Sequence, residues 1–315
     1  MTSVLNFFTK YFWIITCVFG IPGNTLSFMI CLSKTNRRFS TCIYMAGLAV
    51  VDSLLLIAVI VIFPQLFWVT NPVSEFQFQC VYFVAYSTAI LSGLFLTFMS
   101  IDRLIAVRFP LAAKQRCTPR KAIWVIAISV AVVLGLDLHV FFVFKKTVGE
   151  EERVLYLDPV IPGYPELETL VHMYHLVFGS VAPFVIIVFC NLWIIVTLRS
   201  ASSRRTKMGV SEDVAKIQGK ETRHLTRMLI LVCLAFIVTS VPYRLHTLIT
   251  SIPVIQDIYK MHIKYWEVRY FLETYIFLEI WHWNYAINFY LYCIGGGKKY
   301  RADVRRLLKC QINNK

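Results

Sequence analysis

Charge is scarce in this chain. Asp, Glu, Lys and Arg make up 16% of its 315 residues, where soluble domains carry about a quarter. That deficit argues against a domain surrounded by water on all sides. No Asn-x-Ser/Thr triplet occurs, so N-glycosylation by that motif is not expected. Of nine cysteines only Cys80 falls near an outer face, so no outer disulfide framework is expected. The seven histidines are scattered, with no H-x-x-x-H pair, which leaves a membrane metalloenzyme without a ligand set. No internal repeat is visible, so an inverted-repeat transporter has no support. Residues after Lys298 contain no Ser or Thr, so those positions offer no Ser or Thr phosphorylation site.

What the chain has in abundance is apolar and aromatic surface: 57% of residues are apolar, with 24 Phe, 16 Tyr and 7 Trp, and the mean hydropathy is +0.63. A bilayer core is crossed by roughly 20 apolar residues in a helix, and in lipid the backbone must satisfy its own hydrogen bonds. Seven such runs are predicted, over 11–33, 41–66, 78–108, 121–144, 170–198, 222–250 and 269–294. The first run continues without a small-residue cleavage pattern and reads as an uncleaved span. An amphipathic basic stretch over 298–310 is too polar to cross and reads as an eighth helix along the inner interface. The expected fold class is therefore an all-α membrane protein, a seven-transmembrane helix bundle forming one domain over 1–315.

The net charge of +14 is distributed, not patched. Twenty-four of the 32 Lys and Arg lie in four segments, 34–38, 103–121, 199–227 and 298–315. The alternate loops collect Glu150, Glu151, Glu152, Asp158, Glu166, Glu168, Asp257 and Glu267. By the positive-inside rule the N-terminus is outside and the C-terminus inside. Membrane lipid, not nucleic acid, is the expected partner of the basic segments.

Polar residues within the runs carry the functional information, because each needs a partner or a purpose in lipid. Asp52, within "LAVVDSLLLIAV", needs a cation, a proton or several donors. Asp102 and Arg103, in "SIDRLIAVRFP", form either a membrane-edge ion pair or a switch. Read alone, buried asparagines are ordinary helix-to-helix hydrogen bonders.

The residues in register resemble the rhodopsin-like (class A) G-protein-coupled receptors. The resemblance rests on Gly23-Asn24, "LAVVD" ending at Asp52, "DRL" at Asp102 to Leu104, Trp124, Pro183, Phe236 with Pro242, and "NFYLY" over Asn288 to Tyr292. It covers 20–310 and implies a plasma-membrane protein that exchanges nucleotide on a heterotrimeric G protein. In that likeness Asp102 holds Arg103 at rest, Tyr292 joins Arg103 when span 6 swings out, and Pro110 and Leu111 touch the G protein. Asn191 stands where the family usually has a Tyr facing that arginine, and Phe236 and Pro242 belong to the moving part of span 6. Asp52, Ser92, Asn284 and Asn288 match the residues that hold an allosteric sodium ion, the one cofactor the likeness implies. The alternative for Asp52 is a proton or water. Cys310 matches a palmitoylation position, with a free thiol as its alternative. Ser200, Ser202, Ser203, Thr206 and Ser211 are the candidates for phosphorylation and arrestin in the third inner loop.

Departures from that pattern matter as well. Phe78 stands where the outer disulfide begins, Ser240 replaces the expected Trp before Pro242, Thr222 takes the inner end of span 6, and Phe289 replaces the proline after Asn288. His282 in place of a lysine excludes a retinal Schiff base, and Ala85 in place of an aspartate argues against an amine receptor. "NYAINFYLYCIGGGKKYR" and "CNLWII" look like invertebrate neuropeptide receptors of the FMRFamide-like and thyrotropin-releasing-hormone-receptor groups. That likeness implies a short extracellular peptide, with Tyr86, His175, Tyr243, Arg244, Thr247, Glu279 and His282 as the candidate ligand-binding residues. Arg244 can meet a carbonyl or carboxylate and Glu279 a basic group, or the two can neutralise each other. The alternative is a class A receptor for a small molecule or lipid.

Overall fold

A computed structural model describes residues 2–67, 74–148, 154–159, 165–207, 231–232, 234–250, 252, 266–295 and 297–308. Span 1 is Thr2–Cys31, span 2 Ser40–Phe67, and span 3 Glu75–Arg108. A short inner-loop helix, Pro110–Arg116, leads to span 4, Pro119–Asp137, followed by one turn at Val140–Val143. Span 5 runs from Pro165 to Lys207, and span 6 is helical over 234–250. Span 7 comprises Trp266–Ala286 and Asn288–Gly295, and the terminal helix is Gly297–Leu308. Five of these are long and apolar enough to cross a membrane: Tyr11–Cys31, Ser40–Pro64, Glu75–Arg108, Pro119–Val143 and Met173–Ser200. Span 7 carries Glu273 and Glu279, which lower its apolar character without ending the helix.

Local chemistry starts and bends these helices. Ser74 caps span 3 through a capping box: its hydroxyl accepts from the Gln77 N–H, and the Gln77 side chain accepts from the Ser74 N–H at 2.9 Å. Thr118 caps span 4 ahead of Pro119, whose missing N–H is harmless in the first turn. Span 5 contains a π-turn, Val177–Val181. Pro183 cannot donate to the Gly179 carbonyl one turn back, so the ladder is already broken at this point. Gly93 of span 3 fits closely against the turn: a Cβ there would lie 3.2 Å from Pro183 Cγ and 3.4 Å from the Gly179 carbonyl oxygen.

The loop predicted over 145–168 contains an antiparallel hairpin, Phe144–Val148 with Val154–Pro159, pairing Lys145 with Asp158 and Thr147 with Tyr156. Its first strand lies against span 3 and its second against spans 2 and 5. The largest apolar core joins spans 2, 3, 5, 6 and 7 through Leu48, Phe95, Met99, Ile187, Phe236 and Tyr292. A second core, around Trp13, Leu56, Phe63, Tyr275 and Trp281, joins spans 1, 2 and 7. Elsewhere apolar side chains face outward, including Trp124, Phe142 and Val196, each more than 60% exposed, as lipid solvent requires.

Candidate functional site

Three polar groups converge at mid-bundle. Asp52, fully buried on span 2, accepts hydrogen bonds from Ser92 Oγ at 2.7 Å and Asn288 Nδ2 at 2.8 Å. Asn284, also buried, has its Nδ2 without a hydrogen-bond partner among the described residues. Asn24 does separate work, donating to the Tyr285 carbonyl at 2.9 Å across spans 1 and 7. The site thus brings a carboxylate, a hydroxyl and the Asn288 amide together in one buried place, with Asn284 one turn before Asn288 on span 7. That donor set suits a hard monovalent cation.

At the inner end, Asp102 is buried and accepts from Ser40 Oγ at 2.9 Å and Thr41 Oγ1 at 3.1 Å. Among the described residues no ion pair joins Asp102 to Arg103, and Arg103 Nε is buried without a hydrogen-bond partner. The arrangement differs from the expected latch because the first turn of span 2 brings two hydroxyls to the carboxylate. Cys117 closes the same corner, its thiol donating to the Asp102 carbonyl at 3.5 Å. Burial first, and then Asp102, pushes this thiol's pKa up to about 12. It is a protonated donor at neutral pH, not a reactive thiolate. Pro110 and Leu111 stand on the inner-loop helix, with Leu111 82% exposed.

Tyr292 is buried beside Tyr300 of the terminal helix, ring centroids 6.1 Å apart. Asn191 donates one turn back to the Ile187 carbonyl at 2.9 Å, a local bond on its own helix. Phe236 lies in the core and Pro242 in the helical run of span 6. Thr222 and Cys310 lie outside the described residues.

The candidate ligand-binding residues fall into two groups in the outer half. Tyr86 of span 3 stacks on His175 of span 5, centroids 4.2 Å apart. Tyr243 of span 6 stacks on Trp281 of span 7 at 5.1 Å, and the Arg244 guanidinium lies 4.8 Å from the centre of the Trp281 ring. Thr247 Oγ1 donates to the Arg244 carbonyl at 3.0 Å, a bond within its own helix. Glu279 and His282 sit one turn apart on span 7, Oε1 to Nδ1 at 3.6 Å, with His282 edge-on to Phe63 at 5.6 Å. Among the described residues Arg244 and Glu279 form no ion pair with each other.

Several participants were not singled out by sequence reasoning. Ser40 and Thr41 give no local signal, because they meet Asp102 only once two distant segments pack. Trp281, three residues before Asn284, reads as one more span aromatic until it stacks on Tyr243. Asp137 stands out as a polar residue at the end of span 4, but its partners come from other helices: Ser87 Oγ at 2.8 Å on span 3 and Tyr174 OH at 3.0 Å on span 5.

Comparison with known proteins agrees with this geometry. The family model described as "7 transmembrane receptor (rhodopsin family)" matches residues 23–288. Atypical chemokine receptor 4 of Homo sapiens is 27% identical over 261 residues, covering 80% of this chain and 65% of that protein. Somatostatin receptor type 2 of Mus musculus is 27% identical over 245 residues, covering 77% and 63%. Somatostatin receptor type 5 of Bos taurus is 26% identical over 234 residues, covering 71% and 58%. The matched region thus spans less than two thirds of the length of these relatives. The family is one of multi-pass membrane receptors, not of enzymes. With the matched region running from Gly23 to Asn288, this chain belongs to the rhodopsin family of seven-transmembrane receptors.

Proposed function

We propose that the chain is a receptor for a short extracellular peptide and drives nucleotide exchange on a heterotrimeric G protein. The observation that carries this reading is at the inner end of span 3. Arg103 there has a buried Nε without a hydrogen-bond partner among the described residues, while the neighbouring Leu111 is held outward on its own short helix. A buried donor left unsatisfied is costly, so an arrangement that supplies it with an acceptor is favoured when span 6 moves. The peptide ligand is supported by relatives named for somatostatin and chemokines, both polypeptides. The outer half, lined by Tyr86, His175, Tyr243, Arg244, Thr247, Glu279 and His282, receives it. The N-terminus faces outward, as the basic inner segments require. Asp52, Ser92, Asn284 and Asn288 hold a sodium ion that favours the resting arrangement, and the hydrogen-bonded set around Asp52 supports this assignment.

The test is a peptide-library screen on cells expressing the chain with a promiscuous G protein. Wild-type cells give ligand-driven exchange, and Arg103→Ala loses it while keeping surface expression. Full signalling by Arg103→Ala refutes the role of the arginine. Responses to metabolites or lipids alone refute the peptide.

A further inference from the structure

Arg244 and Glu279, two opposite charges buried in the outer half, carry polar atoms with no hydrogen-bond partner among the described residues. Arg244 is 5% exposed. Its guanidinium lies over the rings of Trp281 at 4.8 Å and Tyr243 at 5.8 Å, and its Nε has no hydrogen-bond partner among the described residues. Glu279 is also 5% exposed, and neither carboxylate oxygen has a hydrogen-bond partner among the described residues. Glu279 Oε1 lies 3.6 Å from Nδ1 of His282, beyond good hydrogen-bonding distance, and that nitrogen has no hydrogen-bond partner among the described residues. Asp137, the other buried acid of the region, has both oxygens engaged by Ser87 and Tyr174.

The two charges face different sides. Arg244 points toward span 5, where a Cβ on Gly179 would lie 3.7 Å from its Nη2. Glu279 belongs with His282, which packs on Phe63 of span 2. Trp281 touches both sides: the Arg244 guanidinium lies over its ring, and its ring centroid is 5.4 Å from that of His282. A ring face compensates a cation only in part, and a desolvated carboxylate without donors is costlier still. Arg244 Nε and the Glu279 carboxylate are therefore short of hydrogen bonds of opposite polarity.

We propose that this half of the bundle takes a ligand with two opposite ends. A cationic nitrogen group seats on Glu279, an anionic or carbonyl oxygen seats on Arg244, and an apolar body between them lies against Trp281 and Tyr243. This rests on the receptor reading above and narrows it to one ligand chemistry.

The test uses the full chain purified into lipid nanodiscs. Without ligand, Glu279→Gln and Arg244→Gln each raise the thermal midpoint, because each removes a buried charge with unmet hydrogen bonds. A lowered midpoint for either variant overturns the assignment of that residue, since a structural partner would then have been lost. Binding is read from midpoint shifts with three probes: acetyl-arginyl-phenylalanine, its citrulline analogue without the cation, and acetyl-arginyl-phenethylamide without the carboxylate. Wild type prefers the first probe by about tenfold in half-maximal concentration over either of the others. Glu279→Gln no longer distinguishes arginine from citrulline but still senses the carboxylate, and Arg244→Gln does the reverse. No shift with any probe, or preferences unchanged in the variants, overturns the proposal. Binding of the first probe at these residues without nucleotide exchange refutes the G-protein reading alone. Exchange driven by a peptide that lacks a cation refutes the two-ended ligand alone.

Discussion

At the carboxyl of Asp52, two donors from spans 3 and 7 meet one acceptor from span 2, so the residue reports on the relative position of all three. If a sodium ion shares this carboxylate, Asp52→Asn removes the formal charge that holds it while keeping similar side-chain volume. Agonist affinity of wild type should then fall as sodium replaces a large organic cation at constant ionic strength, and the variant's affinity should not change. Equal sodium sensitivity in both would refute the ion site. Asp52, Asn284 and Asn288 were legible in the sequence because a polar residue in a long apolar run stands out. The hydroxyls on Asp102 were not. Ser40 and Thr41 lie about sixty residues away and look like ordinary residues at the start of a span. The expected grip of Asp102 on Arg103 came from the family likeness, whereas here the carboxylate accepts from Ser40 and Thr41, and neighbours on a helix do not face each other.

Among the described glycines, the tightest surroundings are at Gly20. A Cβ there would meet Leu56 of span 2 and lie 2.9 Å from the Ala286 Cβ of span 7, so spans 1 and 7 cross with almost no space between backbones. Small residues permit such contacts in lipid, where packing drives helix association. Gly20→Leu should cost about 1–3 kcal/mol or more by overpacking and lower both the melting temperature and surface expression. Gly135→Leu on span 4 is the control, since a Cβ there meets nothing within 4 Å. Equal behaviour of the two variants would refute the crossing as a stability determinant. The first five spans were legible to within a few residues in their apolar stretches, because lipid enforces length and hydropathy. The outer hairpin was not, since acidic residues, Pro and Gly obscure the short alternation in "VLYLDP".

Taken whole, the chain's lack of Asn-x-Ser/Thr triplets makes its orientation directly measurable. Gly149→Asn with Glu151→Thr creates an acceptor in the acidic loop, and Gly209→Asn creates one in the basic loop, where Ser211 already stands two residues on. With the N-terminus outside, the first variant gains a glycosidase-sensitive mass and the second does not. The opposite pattern would reverse the topology. The family was the most legible property, since the residues in register extend over most of the chain. Ligand chemistry was the least legible, because whether Arg244 and Glu279 neutralise each other depends on which way two helices turn.

Asp137 has a consequence for the environment in which the outer half can operate. The family's familiar brace at this level is a sulfur–sulfur bond, but Cys80 is a free thiol and residues 145–168 contain no cysteine. Spans 3, 4 and 5 are drawn together instead by Ser87 and Tyr174 on one carboxylate. Hydrogen bonds of this kind exchange no electrons, so a thiol reductant that would open a disulfide brace leaves this one closed.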